Sequence, residues 1–198
     1  MTNTNNLSLV NGAIELAIQT HEVDQKQKRK GKDIPYIVHP LAVGLILARA
    51  GARDAVIAAG ILHDTIEDSI AEKKVTKEMI EDGFGPAVAK MVNDVSEQDK
   101  NLSWQERKRE AFEHISVLEG DSLWVKTADT ISNVSDLLRD CEKDPDLAFV
   151  YFNASKAEII TNYHRVIEVL IQRWGPQAEN PMLVDLHTLA VGLEALKY

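Results

Sequence analysis

The sequence predicts an all-α, single-domain protein. Three observations carry this. Apolar positions recur at helical spacing along most of the 198 residues, no stretch reads as a convincing strand, and no low-complexity tract, internal repeat or linker divides the chain. Leu9, Ala13, Leu16, Ala17 and Ile18 give an amphipathic first helix that fades by Gln25. "HPLAVGLILARAG" is the second, with Pro40 near its start and Gly51 at its end. "RDAVIAAGILHDTIEDS" reads as one continuous third helix capped by Asp54. Short helices follow over Thr76–Asp82 and Pro86–Val95, and "SWQE" (Ser103 to Glu106) fits a capping box opening the next. "SLWVKTADTISNVSDLLRDC" continues the series, Asp144 to Trp174 reads as one long helix with Pro145 in its first turn, and Pro181 to Lys197 closes the chain.

Composition narrows the function. Apolar residues make up 44% and charged residues 27%, which suits a single well-buried core. One cysteine, Cys141, excludes an intramolecular disulfide framework and fits a reducing compartment. The N-terminus lacks the basic and apolar regions of a secretory signal, and no apolar run approaches the ~20 residues a membrane helix needs. A soluble, cytoplasmic protein with no membrane partner is expected. The net charge of −9 argues against binding nucleic-acid polymers. Nothing in the sequence sets an oligomeric state. Against that acidic background "KQKRKGK" (Lys26 to Lys32) places five cations in seven residues. It reads either as a cationic helix C-terminus stopped by Gly31 or as a loop aimed at phosphate.

The most apolar run, "AVIAAGIL", ends in "HDTIED", one imidazole and three carboxylates within six residues. A buried unpaired charge is costly, so something must neutralise the cluster. Helical spacing puts His63 near Glu67, and Asp64 near Glu67 and Asp68. Mixed imidazole and carboxylate ligands suit a borderline-to-hard divalent cation. His63 and Asp64 are too few to hold it alone. His39, before Pro40, can project from a helix end, and Asp129 lies on a polar stripe with Lys126, Asn133 and Asp136. Each piece alone has an ordinary explanation as a surface pair or a solvated helix end; their conjunction points to a metal site. His21, on the first helix, would support such a site indirectly.

"RKGKDIPYIVHP", "GILHDTIEDS" and "VKTADTISNVSDL", in this order and spacing, resemble the HD-domain hydrolases of the RelA/SpoT superfamily, and the chain length is similar to the stand-alone small alarmone hydrolases of that group. The resemblance covers roughly Ala13 to Asp140; the helices from Pro145 to the end carry no matching motif. It implies hydrolysis of (p)ppGpp, a nucleotide substrate, to GDP or GTP and pyrophosphate, with Mn²⁺ as the usual metal. By position it implies His39, His63, Asp64 and Asp129 as ligands, and Glu67 and Asp68 as the pair that orients and deprotonates water. Arg29 and Lys30 fall near a basic nucleotide-contacting pair, and Asn133 matches an asparagine beside the nucleoside. The sequence does not say which of Glu67 and Asp68 is the base. Thr130, Ile131, Ser132, Ser135 and Asp136 depart from the family's usual residues there. An acid near the nucleoside keeps alternatives open: an adenosine alarmone, a nucleoside monophosphate, a 2′-phosphorylated cofactor, or a regulator that binds an alarmone without cleaving it.

Overall fold

Every regular element among the described residues of the structure, a computed structural model covering 4–96, 102–175 and 179–196, is helical. The all-α prediction holds; Lys197, expected at the end of the last helix, lies outside the described residues. The helices form two units, one of Met1–Gln98 and Glu119–Asp129, the other of Asp99–Leu118 and Thr130–Tyr198. No described helix is long and apolar enough to cross a membrane.

The first unit is built around α3 (Asp54–Leu62), against which α1 (Thr4–Ile18), α2 (Val38–Arg49) and α6 (Pro86–Val95) pack. A helix surrounded this way must be apolar on all sides, and Val56 and the whole run Ala58 to Leu62 are buried. Glycines let α2 and α3 approach. A Cβ on Gly60 would stand 2.3 Å from Leu47 Cδ1, and one on Gly44 2.7 Å from Ile61 Cγ1. Preceding α6, α5 (Lys77–Phe84) starts at Thr76, whose hydroxyl accepts the Met79 N–H, and ends at Gly85 with φ +87°.

Three local departures from the sequence reading shape the functional region. After Ile18 the first helix widens into a π turn over Gln19–Asp24, which buries Thr20 and His21. The third helix is not continuous: it stops at Leu62 and restarts as α4 (Thr65–Asp68), with Thr65 Oγ1 donating to Leu62 O at 2.7 Å. Its N-cap is Arg53, in extended conformation, and Asp54 sits in the first turn, where its charge complements the helix dipole. Nor is the basic run a helix end. Lys28 bridges to Pro35, Arg29 N–H donates to Ile34 O and Tyr36 N–H donates to Gln27 O, both at 2.9 Å, so the segment is a tight antiparallel loop.

In the second unit α7 (Trp104–Val117) opens with the expected capping box of Ser103 and Glu106. α8 (Gly120–Lys143) starts in the first unit and ends in the second. The long helix expected from Asp144 is shorter. Asp144 Oδ1 accepts the N–H groups of Asp146 and Leu147, making a turn, and a second capping box of Ser155 and Glu158 starts α9 (Lys156–Trp174). α9 packs with α7 and with α10 (Met182–Ala195).

Candidate metal centre

His39 lies in the first turn of α2, where Pro40 is tolerated because first-turn amides have no intrahelical acceptor. His63 is the residue at which α3 ends, Asp64 precedes α4, and Asp129 is in the middle of α8. The fold brings all four together. His39, His63 and Asp129 are buried, and one ligand atom of each lies within 4.8 Å of the others. The two Nε2 atoms stand 3.2 Å apart. Asp129 Oδ1 is 3.3 Å from His39 Nε2 and 3.6 Å from His63 Nε2. Asp64 Oδ2 is 3.0 Å from His63 Nε2 and 3.7 Å from His39 Nε2.

The donor set fits a divalent cation. His63 Nδ1 lies 2.8 Å from the Gly60 carbonyl, which can only accept, so Nδ1 carries a proton and a neutral His63 presents its Nε2 lone pair. Two imidazole nitrogens and two carboxylate oxygens then face one another, and that holds together only around positive charge. In the metal-free protein His63 supplies it as a proton. Burial favours its neutral form, but the Asp64 charge and the hydrogen bonds with Asp129 and Asp64 outweigh this and hold its pKa well above the ordinary value. Burial pushes His39 down. Burial would raise both carboxylates, yet Asp64 is held low by His63, and Asp129 well below its usual value by Lys126 and the two histidines. Lys126 Nζ donates to Asp129 Oδ2 at 2.9 Å, which leaves Oδ1 turned to the imidazoles.

Tyr36 is a member that sequence reasoning missed. Its hydroxyl donates to Asp64 Oδ2, and its ring lies 5.0 Å from His21 and 5.7 Å from His39. Burial, and after it the Asp64 charge, keep the phenol protonated and therefore a donor. The available signal was its place three residues before His39, whose N–H donates to Tyr36 O at 2.9 Å across the turn that opens α2. Tyr36 also ties the basic loop to the centre, because the Arg29 guanidinium stands 5.6 Å over its ring. Lys30 is exposed on the same loop. Glu67 and Asp68 are half-buried on α4, and Asp68 Oδ2 accepts from Gln27 Nε2 at 2.9 Å. Asn133 is one turn beyond Asp129 on α8, in the part that belongs to the second unit. Asp136 pairs with Arg139 at 3.5 Å.

A family model described as an HD domain matches residues 13–148. A Xenopus tropicalis protein named guanosine-3′,5′-bis(diphosphate) 3′-pyrophosphohydrolase MESH1 is 37% identical over 134 residues, 67% of this chain and 71% of its own. A solved structure described as a metazoan orthologue of SpoT that hydrolyses ppGpp superposes with a TM-score of 0.71, at 23% identity, covering 92% of this chain and 93% of that one. A crystal structure of a Listeria monocytogenes EGD-e protein gives a TM-score of 0.68 at 27% identity, covering 82% of this chain and 99% of its own.

Proposed function

The chain belongs to the HD domain family, and on that premise we propose that it is a metal-dependent hydrolase of guanosine alarmones, converting ppGpp and pppGpp to GDP and GTP with release of pyrophosphate. The observation that carries this reading is the buried cluster of His39, His63 and Asp129, joined by the half-buried Asp64, with two further carboxylates on the next turn of helix. Its likeness to proteins named for that reaction supplies the substrate.

In this reading His39, His63, Asp64 and Asp129 hold one divalent cation, Mn²⁺ by family resemblance. Such an ion, when bound, lowers the pKa of water and polarises a phosphoryl oxygen. The chain's own residues do the rest. Glu67 or Asp68 takes the proton of the attacking water as general base. Oxygen adds to the phosphorus attached at the 3′ position, the bond from that phosphorus to the 3′ oxygen breaks, and the 3′ oxygen ends protonated as a hydroxyl. Arg29 and Lys30 hold phosphate as point charges and donors. Asn133 is assigned to the nucleoside by its place in the motif. The unpaired, buried Cys141 supports a reducing, cytoplasmic setting.

The test is product analysis of the purified protein with Mn²⁺ and ppGpp, beside an adenosine alarmone and a panel of nucleoside monophosphates. Pyrophosphate and GDP from ppGpp are expected. Orthophosphate from another nucleotide, with ppGpp untouched, would keep the metal centre and overturn the substrate.

A further inference from the structure

A fully buried histidine reaches one α4 carboxylate, Asp68, through one amide. His21 has no solvent exposure and sits in the π turn after α1. Its Nδ1 lies 2.8 Å from Gln27 Oε1, and Gln27 Nε2 donates to Asp68 Oδ2 at 2.9 Å. The bond to Asp68 fixes the direction of this chain. Gln27 turns its NH₂ to the Asp68 oxygen and its own oxygen to His21, so His21 must donate from Nδ1. A neutral ring with that tautomer leaves a bare Nε2. His21 Nε2 is indeed buried without a hydrogen-bond partner, and this assignment leaves no buried ring N–H unsatisfied.

The backbone is bent to place Gln27 there. Gln27 N–H donates to His21 O at 2.8 Å, and Gln27 O accepts from Tyr36 N–H at 2.9 Å, so the residue is pinned from both sides. Just before it, Lys26 is the sole non-glycine residue with positive φ, +52°, among those described. A π turn is rare and a left-handed lysine is strained, and both features concentrate at functional sites. Here they occur within eight consecutive residues, Gln19 to Lys26. Their joint effect is to bring the Gln27 amide between His21 and Asp68.

We infer that His21 is a positioning residue for hydrolysis, fixing through Gln27 the orientation of an Asp68 carboxylate that it never touches. This rests on the reading of Asp68 as a catalytic carboxylate. It gives Asp68, of the Glu67–Asp68 pair, an orientation controlled from behind through Gln27. Neither His21 nor Gln27 belongs to the four-ligand cluster, but His21 packs against Tyr36, which holds Asp64, so the separation of turnover from cation binding is read in Gln27→Met, which leaves that ring contact in place.

The experiment compares Gln27→Met, which keeps chain length without a donor, with His21→Leu, His21→Asn and the Gln27→Met/His21→Leu double variant, each loaded with Mn²⁺. Gln27→Met should lower kcat on ppGpp by about 10- to 100-fold with KM within about twofold, the pattern of lost positioning. Its Mn²⁺ affinity should match that of the unaltered protein. The double variant should be no worse than Gln27→Met alone, since one relay is lost once. His21→Asn, whose amide N–H takes the place of Nδ1–H, should recover turnover well above His21→Leu. If the buried His21→Leu protein fails to fold, Gln27→Met still decides the matter. A substrate-free readout separates this inference from the alarmone assignment: imidazole ¹⁵N shifts should show His21 protonated at Nδ1 and bare at Nε2, and the Gln27 side-chain amide resonances should move in Asp68→Ala. Full activity of Gln27→Met on ppGpp would overturn the relay, as would a His21 ring protonated at Nε2 in place of Nδ1 or a Gln27 amide indifferent to Asp68→Ala. Failure of the unaltered protein to cleave ppGpp would overturn the substrate instead, with the His21 and Gln27 shifts still testing the relay.

Discussion

The bond from His63 Nδ1 to the Gly60 carbonyl turns Nε2 of that ring toward His39, Asp64 and Asp129. Single substitutions should therefore separate binding from chemistry. Asp64→Ala removes an oxygen from the proposed ligand set and leaves the Tyr36 hydroxyl without its Asp64 acceptor, so calorimetric titration with a divalent cation should show binding lost together with turnover. Glu67→Gln and Asp68→Asn should keep cation affinity and lose turnover, and the larger loss in kcat identifies the base, whose removal typically costs about 10²–10⁴-fold. Retained turnover in Asp64→Ala would remove that residue from the ligand set. Tyr36→Phe tests support of a ligand. The Asp64 carboxylate loses the hydroxyl that orients it, and cation affinity should fall by about 10-fold. The candidate ligands were legible because helical spacing and an apolar run ending in charges are local signals. Tyr36 and Gln27 were not assigned roles, because their partners Asp64 and Asp68 lie 28 and 41 residues away.

Among the helices, α6 matched its expected limits of Pro86 and Val95, and the Ser103 capping box formed as read, because proline and capping signals act within one turn. Where tertiary partners decide, the pattern failed. Residues 53–69 stay compatible with one helix throughout, yet the chain bends at His63 and Asp64 so that both side chains enter the cluster. The π turn is invisible to a 3.6-residue period for the same reason. Its reward is burial of His21, a distant contact. Ser155 and Glu158 are different: their S-x-x-E signal was present and was overridden by the apolar periodicity upstream. The α2–α3 crossing carries His39 and positions His63, so its spacing sets the centre. Gly60→Ala should gain about 1 kcal/mol of helix propensity. It also drives a methyl to 2.3 Å from the fully buried Leu47, and overpacking of ~1–3 kcal/mol wins. Chemical denaturation should show a net loss of up to about 2 kcal/mol, and cation titration a weaker site, since the crossing that sets the 3.2 Å separation of His39 and His63 is forced apart.

For the molecule as a whole, the centre couples folding, protons and metal. In the metal-free protein His63 has a folded pKa well above its ordinary 6.5, so its stabilisation is complete below that value and is lost as pH rises through the raised pKa. His39 is lowered and acts oppositely, adding stability as pH rises through the ordinary histidine range. Asp64 and Asp129, both lowered, contribute above the ordinary carboxylate range and lose that contribution only in acid. Of these four groups only His63 still changes on the alkaline side of neutrality, and there the metal-free protein weakens as two carboxylates lose their imidazolium. A divalent cation supplies the charge that the proton supplied and must displace it to bind, so affinity rises with pH. At a hundredfold excess over Kd, binding adds about 2.7 kcal/mol, or ~5–10 °C in Tm for a chain of this size. Thermal unfolding with and without chelator, at mildly acidic and mildly alkaline pH, should show the larger metal-dependent gain on the alkaline side. A gain that is equal at the two pH values, or larger in acid, would place the cation away from His63. Asp64→Ala supplies the control, because without that proposed ligand the gain should vanish at both.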